Sequence, residues 1–146
     1  MARSYASTVI DAPADEVWAL IRDFNGLPAW FSSVVSSSEI EDGKAGDQVG
    51  GVRSFTLADG TRLRERLLSH SDAQRAYSYN FEKTPFAVRN YHATLEVTPV
   101  TDGGKSFVEW WTTFDCGADE YDHWVGFFAG QIFQPGFEEL KKHFSS

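Results

Sequence analysis

Along Arg62-Leu63-Arg64-Glu65-Arg66-Leu67 the side chains alternate basic, apolar, basic, acidic, basic, apolar. Successive side chains of a β-strand point to opposite faces, so this segment predicts a strand with the three arginines on one side and Leu63, Glu65 and Leu67 on the other. Three arginines do not make a buried face; they look at water, where they could also dock an acidic partner. Glu65 therefore shares the inner side with two leucines. A carboxylate in that position must be paired, protonated or functional.

The same reading extends along the chain. Residues 3–10 predict a short strand, after which Asp11-Ala12-Pro13 opens a helix with Asp15 and Glu16 in its first turn. Val17, Leu20, Ile21 and Phe24 give that helix one apolar stripe, and Asn25-Gly26 ends it. Leu27-Pro28-Ala29-Trp30-Phe31 predicts a brief second helical turn or a loop. Strand-like segments follow near 33–41, 47–57, 61–70, 75–82, 88–99 and 105–115. Their breaks are turn chemistry: Asp42-Gly43, Asp59-Gly60, Ser71-Asp72, Thr84-Pro85 and Asp102-Gly103-Gly104. Breaks this short imply an antiparallel meander. From 119 to 144 the period becomes helical, with Trp124, Phe128, Ile132, Gly136 and Leu140 at every fourth position and Pro135 expected to bend or interrupt the helix. Strand, helix pair, six strands and a long helix predict one α+β domain over residues 1–146, a curved sheet gripping its last helix.

Parity assigns the inner face of each strand. Tyr77, Tyr79 and Phe81 form the inner set of 75–82, and Tyr91, Ala93, Leu95 and Val97 that of 88–99. In 105–115 the even set, Val108, Trp110, Thr112 and Phe114, turns inward because Glu109 belongs to water. A tight turn at 71–74 and a symmetric turn over 83–86 would pair Glu65 with Tyr79 and Tyr79 with Tyr91. The three would then form a polar row across the inner wall. Arg89 shares the inner parity and is a candidate partner for Glu65.

Composition narrows the functional classes. The chain carries 13 basic and 21 acidic residues, a formal charge of −8, which repels phosphate backbones and argues against nucleic acid. No apolar run approaches the roughly 18 residues that span a bilayer, so no membrane insertion is expected. With no signal peptide in its first residues and a single cysteine, Cys116, the chain reads as cytoplasmic. The 12 Phe, 5 Trp and 5 Tyr are the unusual feature: they build a thick core or line a roomy apolar cavity.

A carboxylate beside tyrosine hydroxyls in an apolar chamber could act as general base or acid on a carbonyl compound, or could anchor a ligand. Other constellations carry less. His70, His92, His123 and His143 are scattered, and the acids before His123 read as helix capping, so no metal and no cofactor is expected. Cys116 reads as a packed thiol. Gly46-Asp47-Gln48-Val49-Gly50-Gly51 leads into a strand without a Lys-Ser/Thr ending, which excludes a phosphate loop.

Laid out in this way, the whole chain resembles the START/pollen-allergen-like (SRPBCC) superfamily, and within it the polyketide cyclase/dehydrase branch. The resemblance is carried by Ile10-Asp11-Ala12-Pro13 with Val17-Trp18, and by Asp23-Phe24 with Leu27-Pro28-Ala29-Trp30. It continues through Gly46-Asp47-Gln48-Val49-Gly50, Leu63-Arg64-Glu65-Arg66-Leu67, Tyr77-Ser78-Tyr79, Asn90-Tyr91 and the closing aromatic helix. It implies a helix-grip fold, with a seven-stranded antiparallel sheet around the C-terminal helix and a deep cavity for a hydrophobic ligand. Plant hormone receptors of the superfamily carry an acid in a similar Glu-Arg-Leu segment, facing the ligand. Loops 57–61 and 84–87 would flank the mouth, without the receptors' gate and latch sequences. Where many bacterial relatives read Trp-His-Pro, this chain has Trp30-Phe31-Ser32, so no histidine takes a role there.

The expected ligand-facing set follows. Phe55, Leu57, Leu63, Glu65 and Leu67 come from the third and fourth strands. Tyr77, Tyr79, Phe81, Arg89, Tyr91 and Ala93 come from the next two, and Trp110 and Thr112 from the last. Trp30 joins them from the second helical turn, and Trp124, Phe128 and Ile132 from the closing helix. The leading expectation is a binder of a lipid, polyketide or aromatic metabolite. The alternatives are a cyclase or dehydratase using Glu65, and a protein-interaction module with a filled core. Ligand identity and oligomeric state stay open, a dimer among the options.

Overall fold

The chain begins with β1 (Ala2–Ile10), whose inward positions include the fully buried Ser4 and Ile10. The Ser4 hydroxyl donates to the Val125 carbonyl at 2.6 Å, fastening this strand to the C-terminal helix. Pro13 then caps α1 (Ala14–Ile21), which buries Val17, Trp18 and Ile21. This helix ends earlier than its apolar stripe predicts. Phe24 lies beyond it in a turn, buried, with its N–H bonded to the Gly46 carbonyl at 2.8 Å. Trp18 Nε1 and the Arg22 guanidinium both donate to the Asp72 carboxylate, pinning α1 to the sheet. A single turn, α2 (Leu27–Trp30), follows with Pro28 in its first positions.

The remaining strands are β2 (Val35–Ile40), β3 (Val52–Leu57), β4 (Arg62–Ser71), β5 (Ala76–Lys83), β6 (Arg89–Pro99) and β7 (Ser106–Asp115). They form one antiparallel seven-stranded sheet in the order β1-β7-β6-β5-β4-β3-β2, so β1 closes against the last strand while the helices carry the chain to the far edge. This is the expected α+β helix-grip architecture. The computed structural model describes residues 1–145.

Two departures shape the interior. The predicted strand 47–57 starts only at Val52, because Gly46 abuts Asp23 so closely that a Cβ there would lie 1.9 Å from its Oδ1, and Gly50 has φ of +91°. The C-terminal helix runs as α3 (Tyr121–Phe127), a π-helical stretch over Phe128–Phe133, and α4 (Gln134–His143). The π-stretch, in which the Gln134 N–H reaches the Ala129 carbonyl, sits just before Pro135, which has no N–H to continue the regular ladder. It also shifts the phase of the stripe. Phe133, not Ile132, becomes fully buried, followed by Phe137 and Leu140, while Ile132 is left half-buried.

The inner face otherwise follows parity. Leu63, Glu65 and Leu67 are buried, as are Tyr77, Tyr79, Tyr91, Ala93, Val108, Trp110, Thr112 and Phe114. On the outer face Arg64 pairs with Glu41 and Arg66 with Glu82. No helix among the described residues is long and apolar enough to cross a membrane.

Candidate functional site

The polar centre of the interior is a cross-strand pair. Arg53 on β3 stands opposite Glu65 on β4, and both point inward. Arg53 Nε and Nη2 donate to Glu65 Oε1 at 2.9 and 2.7 Å, and Nη1 donates to the Phe24 carbonyl at 2.7 Å. The guanidinium carbon lies 3.9 Å from the centre of the Phe24 ring and 4.9 Å from that of Tyr79. Arg53 is 1 % exposed and Glu65 5 %. Burial pushes the Glu65 carboxyl above its ordinary range against the pull of Arg53. Burial also works against the Arg53 charge, yet the Glu65 carboxylate beside it holds it above its ordinary value. The pair is thus desolvated, mutually dependent and tied to the backbone beside α1. Among the described residues nothing donates to Glu65 Oε2.

A cavity of about 40 Å³ adjoins this pair between the sheet and the C-terminal helix. Arg53, Phe55 and Leu57 line it from β3, Leu63 and Glu65 from β4, and Tyr79 and Phe81 from β5. Tyr91, Trp110, Phe128 and Ile132 add the rest of the sheet wall and the helix side. A second depression of about 200 Å³ shares Val34, Leu57 and Ile132 with it and continues outward to Ser33, Asp59, Phe127 and Gln131. Those three shared side chains form the partition between interior and surface. The interior space is narrower than the deep cavity that the resemblance implies, because aromatic rings occupy most of it.

The rings are organised by the ladder. Pairing between β5 and β6 covers only the segment from Ala76↔Glu96 to Tyr79↔Ala93, and beyond it the strands part. Phe81 and Tyr91 bridge the gap with ring centres 4.0 Å apart, and Tyr91 in turn meets Phe128 at 5.1 Å. Phe86, from the loop after β5, contacts Phe81, Trp124, Phe127 and Phe128 and caps the cluster. Deeper in, Trp110 Nε1 donates to the Tyr79 hydroxyl at 3.0 Å, reaching diagonally over β6, where Ala93 stands opposite Tyr79 and Leu95 opposite Trp110. Burial raises both the Tyr79 and Tyr91 hydroxyls well above their ordinary range, so each remains a protonated donor.

The expected polar row is replaced. The turn after β4 takes four residues, with Arg75 at φ of +53°, and a bulge follows Leu67, so Glu65 stands opposite Phe81 and Tyr79 opposite Leu67. Tyr79 pairs with Ala93, not Tyr91. Arg89 is corrected as well: Asn90 at φ of +53° makes a bulge that breaks the parity, and Arg89 is exposed opposite Asp115. Several expected residues are buried without lining the cavity. Trp30 backs it, stacked on Phe31 at 5.5 Å, while Leu67 and Tyr77 lie further along, with Tyr77 packed on Phe24 and Trp18. Ala93 and Thr112 belong to the sheet floor, and Trp124 packs behind Phe86 and Phe128.

The sequence reading leaves out Arg53, Leu27, Phe31, Val34, Val35 and Phe86, all of which line the cavity. For Arg53 the signal was present: in Val52-Arg53-Ser54-Phe55-Thr56-Leu57 it shares parity with Phe55 and Leu57. A charge on an inner face, facing the acid predicted on the next strand, is a pairing signal.

A family profile described as "Polyketide cyclase / dehydrase and lipid transport" matches residues 1–145. Among solved structures, the protein XoxI from Bacillus cereus is 33% identical, with 99% of this chain and 96% of that one covered and a TM-score of 0.87. A putative uncharacterized protein from Bacillus thuringiensis is also 33% identical, over 98% of each chain, with a TM-score of 0.87. A protein from Thermobifida fusca is 29% identical, covering 99% of this chain and 93% of its own, with a TM-score of 0.88. No curated protein matches the chain.

Proposed function

Because this chain belongs to the polyketide cyclase/dehydrase and lipid transport family, whose fold is one of hydrophobic-ligand binding, we propose that it binds a small hydrophobic molecule between its sheet and its C-terminal helix. The observation that carries this reading is an apolar, ring-lined space holding one carboxylate oxygen that the protein does not use. A built-in polar atom facing an otherwise apolar void orients a guest. An apolar void of about 150 Å³ holds a benzene-sized molecule. The cavity here, at about 40 Å³, therefore widens on binding. The β5–β6 gap, closed by side chains without ladder hydrogen bonds, is the place where it opens: Phe86 swings out and Phe81 follows. The lone cysteine suits a reducing, cytoplasmic setting.

The test is native mass spectrometry of protein purified without denaturation, combined with displacement of an apolar dye. The reading expects a co-purifying small molecule or saturable dye uptake that a Phe86→Ala exchange strengthens. Absence of both in the folded protein contradicts it.

The same free oxygen supports a second reading, a cyclase or dehydratase in which Glu65 moves a proton while a tyrosine hydroxyl steadies the developing oxyanion. Arg53 holds that carboxylate in a buried ion pair that protonation would break, so binding comes first. The enzymatic reading expects the molecule co-purifying with Glu65→Gln to differ from the wild-type one by the elements of water or by a ring closure. Identical molecules in both contradict it.

A further inference from the structure

Among the described residues Arg53 and Glu65 are the only charged side chains lining the cavity, and they neutralise one another. Three donors of Arg53 are committed, two to Glu65 Oε1 and one to the Phe24 carbonyl, and its plane is covered by the Phe24 and Tyr79 rings. What the cavity offers a guest is one uncommitted carboxylate oxygen, Glu65 Oε2, beside the protonated Tyr79 and Tyr91 hydroxyls and the two remaining N–H groups of a guanidinium whose charge Glu65 already balances. Tyr79 already accepts from Trp110, which leaves its own proton free to donate.

Charge conservation in a buried space decides what fits. A guest carboxylate would place two anions against one guanidinium in an aromatic chamber, leaving one uncompensated. A guest ammonium would leave an excess cation. A hydroxyl donates to Oε2, accepts from a tyrosine and leaves the pair neutral. We propose that this cavity selects an uncharged alcohol or phenol on a compact apolar body and rejects the matching carboxylate. This inference rests on the binding reading above and names its ligand class.

Three probes of one shape test it on the intact protein at neutral pH: 2-naphthol, 2-methylnaphthalene and 2-naphthoate, measured by calorimetry or dye displacement. 2-Naphthol should bind about tenfold more tightly than 2-methylnaphthalene, the gain of one hydrogen bond to a charged acceptor. 2-Naphthoate should be the weakest of the three. In Glu65→Gln the Arg53 charge is left unpaired, so the order inverts and 2-naphthoate becomes the tightest, in protein verified as folded by circular dichroism. Should that variant not fold, the wild-type order alone decides. Wild-type protein that takes 2-naphthoate as well as 2-naphthol, or does not distinguish 2-naphthol from 2-methylnaphthalene, overturns the selectivity while leaving binding intact. Failure of all three probes to bind refutes the binding reading itself, and the selectivity with it.

Discussion

Arg53 Nε and Nη2 converge on the same oxygen of Glu65, leaving Oε2 without a donor among the described residues. A pair so deeply buried stabilises little by existing, yet losing one partner strands the other. Arg53→Met should lower unfolding free energy by about 3–5 kcal/mol, the cost of an unpaired buried carboxylate. Arg53→Met with Glu65→Leu should recover most of that loss. Urea denaturation of both variants checks this, and a double variant as weak as the single one would mean that the ionic pairing is not the cause.

Two tyrosines of one strand should behave oppositely. The Tyr77 hydroxyl is buried and has no hydrogen-bond partner among the described residues, whereas the Tyr79 hydroxyl accepts from Trp110. Tyr77→Phe removes an unsatisfied polar group and should raise stability by about 1 kcal/mol, while Tyr79→Phe strands an indole N–H and should lower it by a similar amount. Thermal unfolding of the two variants side by side reads the sign.

Gly136 lets α4 approach the cavity wall. A Cβ there would lie 2.8 Å from Trp110 Cζ3 and 3.4 Å from Phe31 Cε2. Trp110 is held by Tyr79 and stacked on Phe133 at 4.7 Å, so its indole has little room to yield. Gly136→Ala should cost about 1–3 kcal/mol despite the better helix propensity of alanine. A neutral or stabilising exchange would show a looser contact.

Asp72 gives the fold an acid-sensitive clamp. Its hydrogen bonds from Arg22 and then from Trp18 hold its carboxyl down at about 2, against an ordinary 3.8. A depressed carboxyl stabilises the folded state above its unfolded pKa and loses that contribution as pH falls through the folded one. The stability gap between wild type and Asp72→Asn should therefore be constant from neutral pH down to about 4 and close as pH falls towards about 2. A gap that widens on acidification would assign the carboxylate the opposite role.

The order of elements and the inner face of most strands were legible because both rest on periodicity, and periodicity survives small irregularities. Leu63, Glu65, Tyr79 and Trp110 turn inward as their alternation requires. Register was not legible, because it depends on turn length and bulges: one bulge after Leu67 and another at Asn90 moved Tyr79 away from Glu65 and Arg89 out to solvent. The π-stretch before Pro135 likewise exchanged Ile132 for Phe133 in the core. Arg53 lay within reach of the same parity argument as Glu65, and only the pair of strands taken together reveals it.

The central claim, that an apolar guest lodges between sheet and helix, is tested most directly by intermolecular nuclear Overhauser effects from 2-methylnaphthalene to assigned side chains. The account predicts contacts to Phe81, Tyr91 and Phe128 together, with the Phe86 ring displaced from them. Contacts confined to outward-facing apolar side chains such as Val9, Val49 and Tyr121 would contradict it.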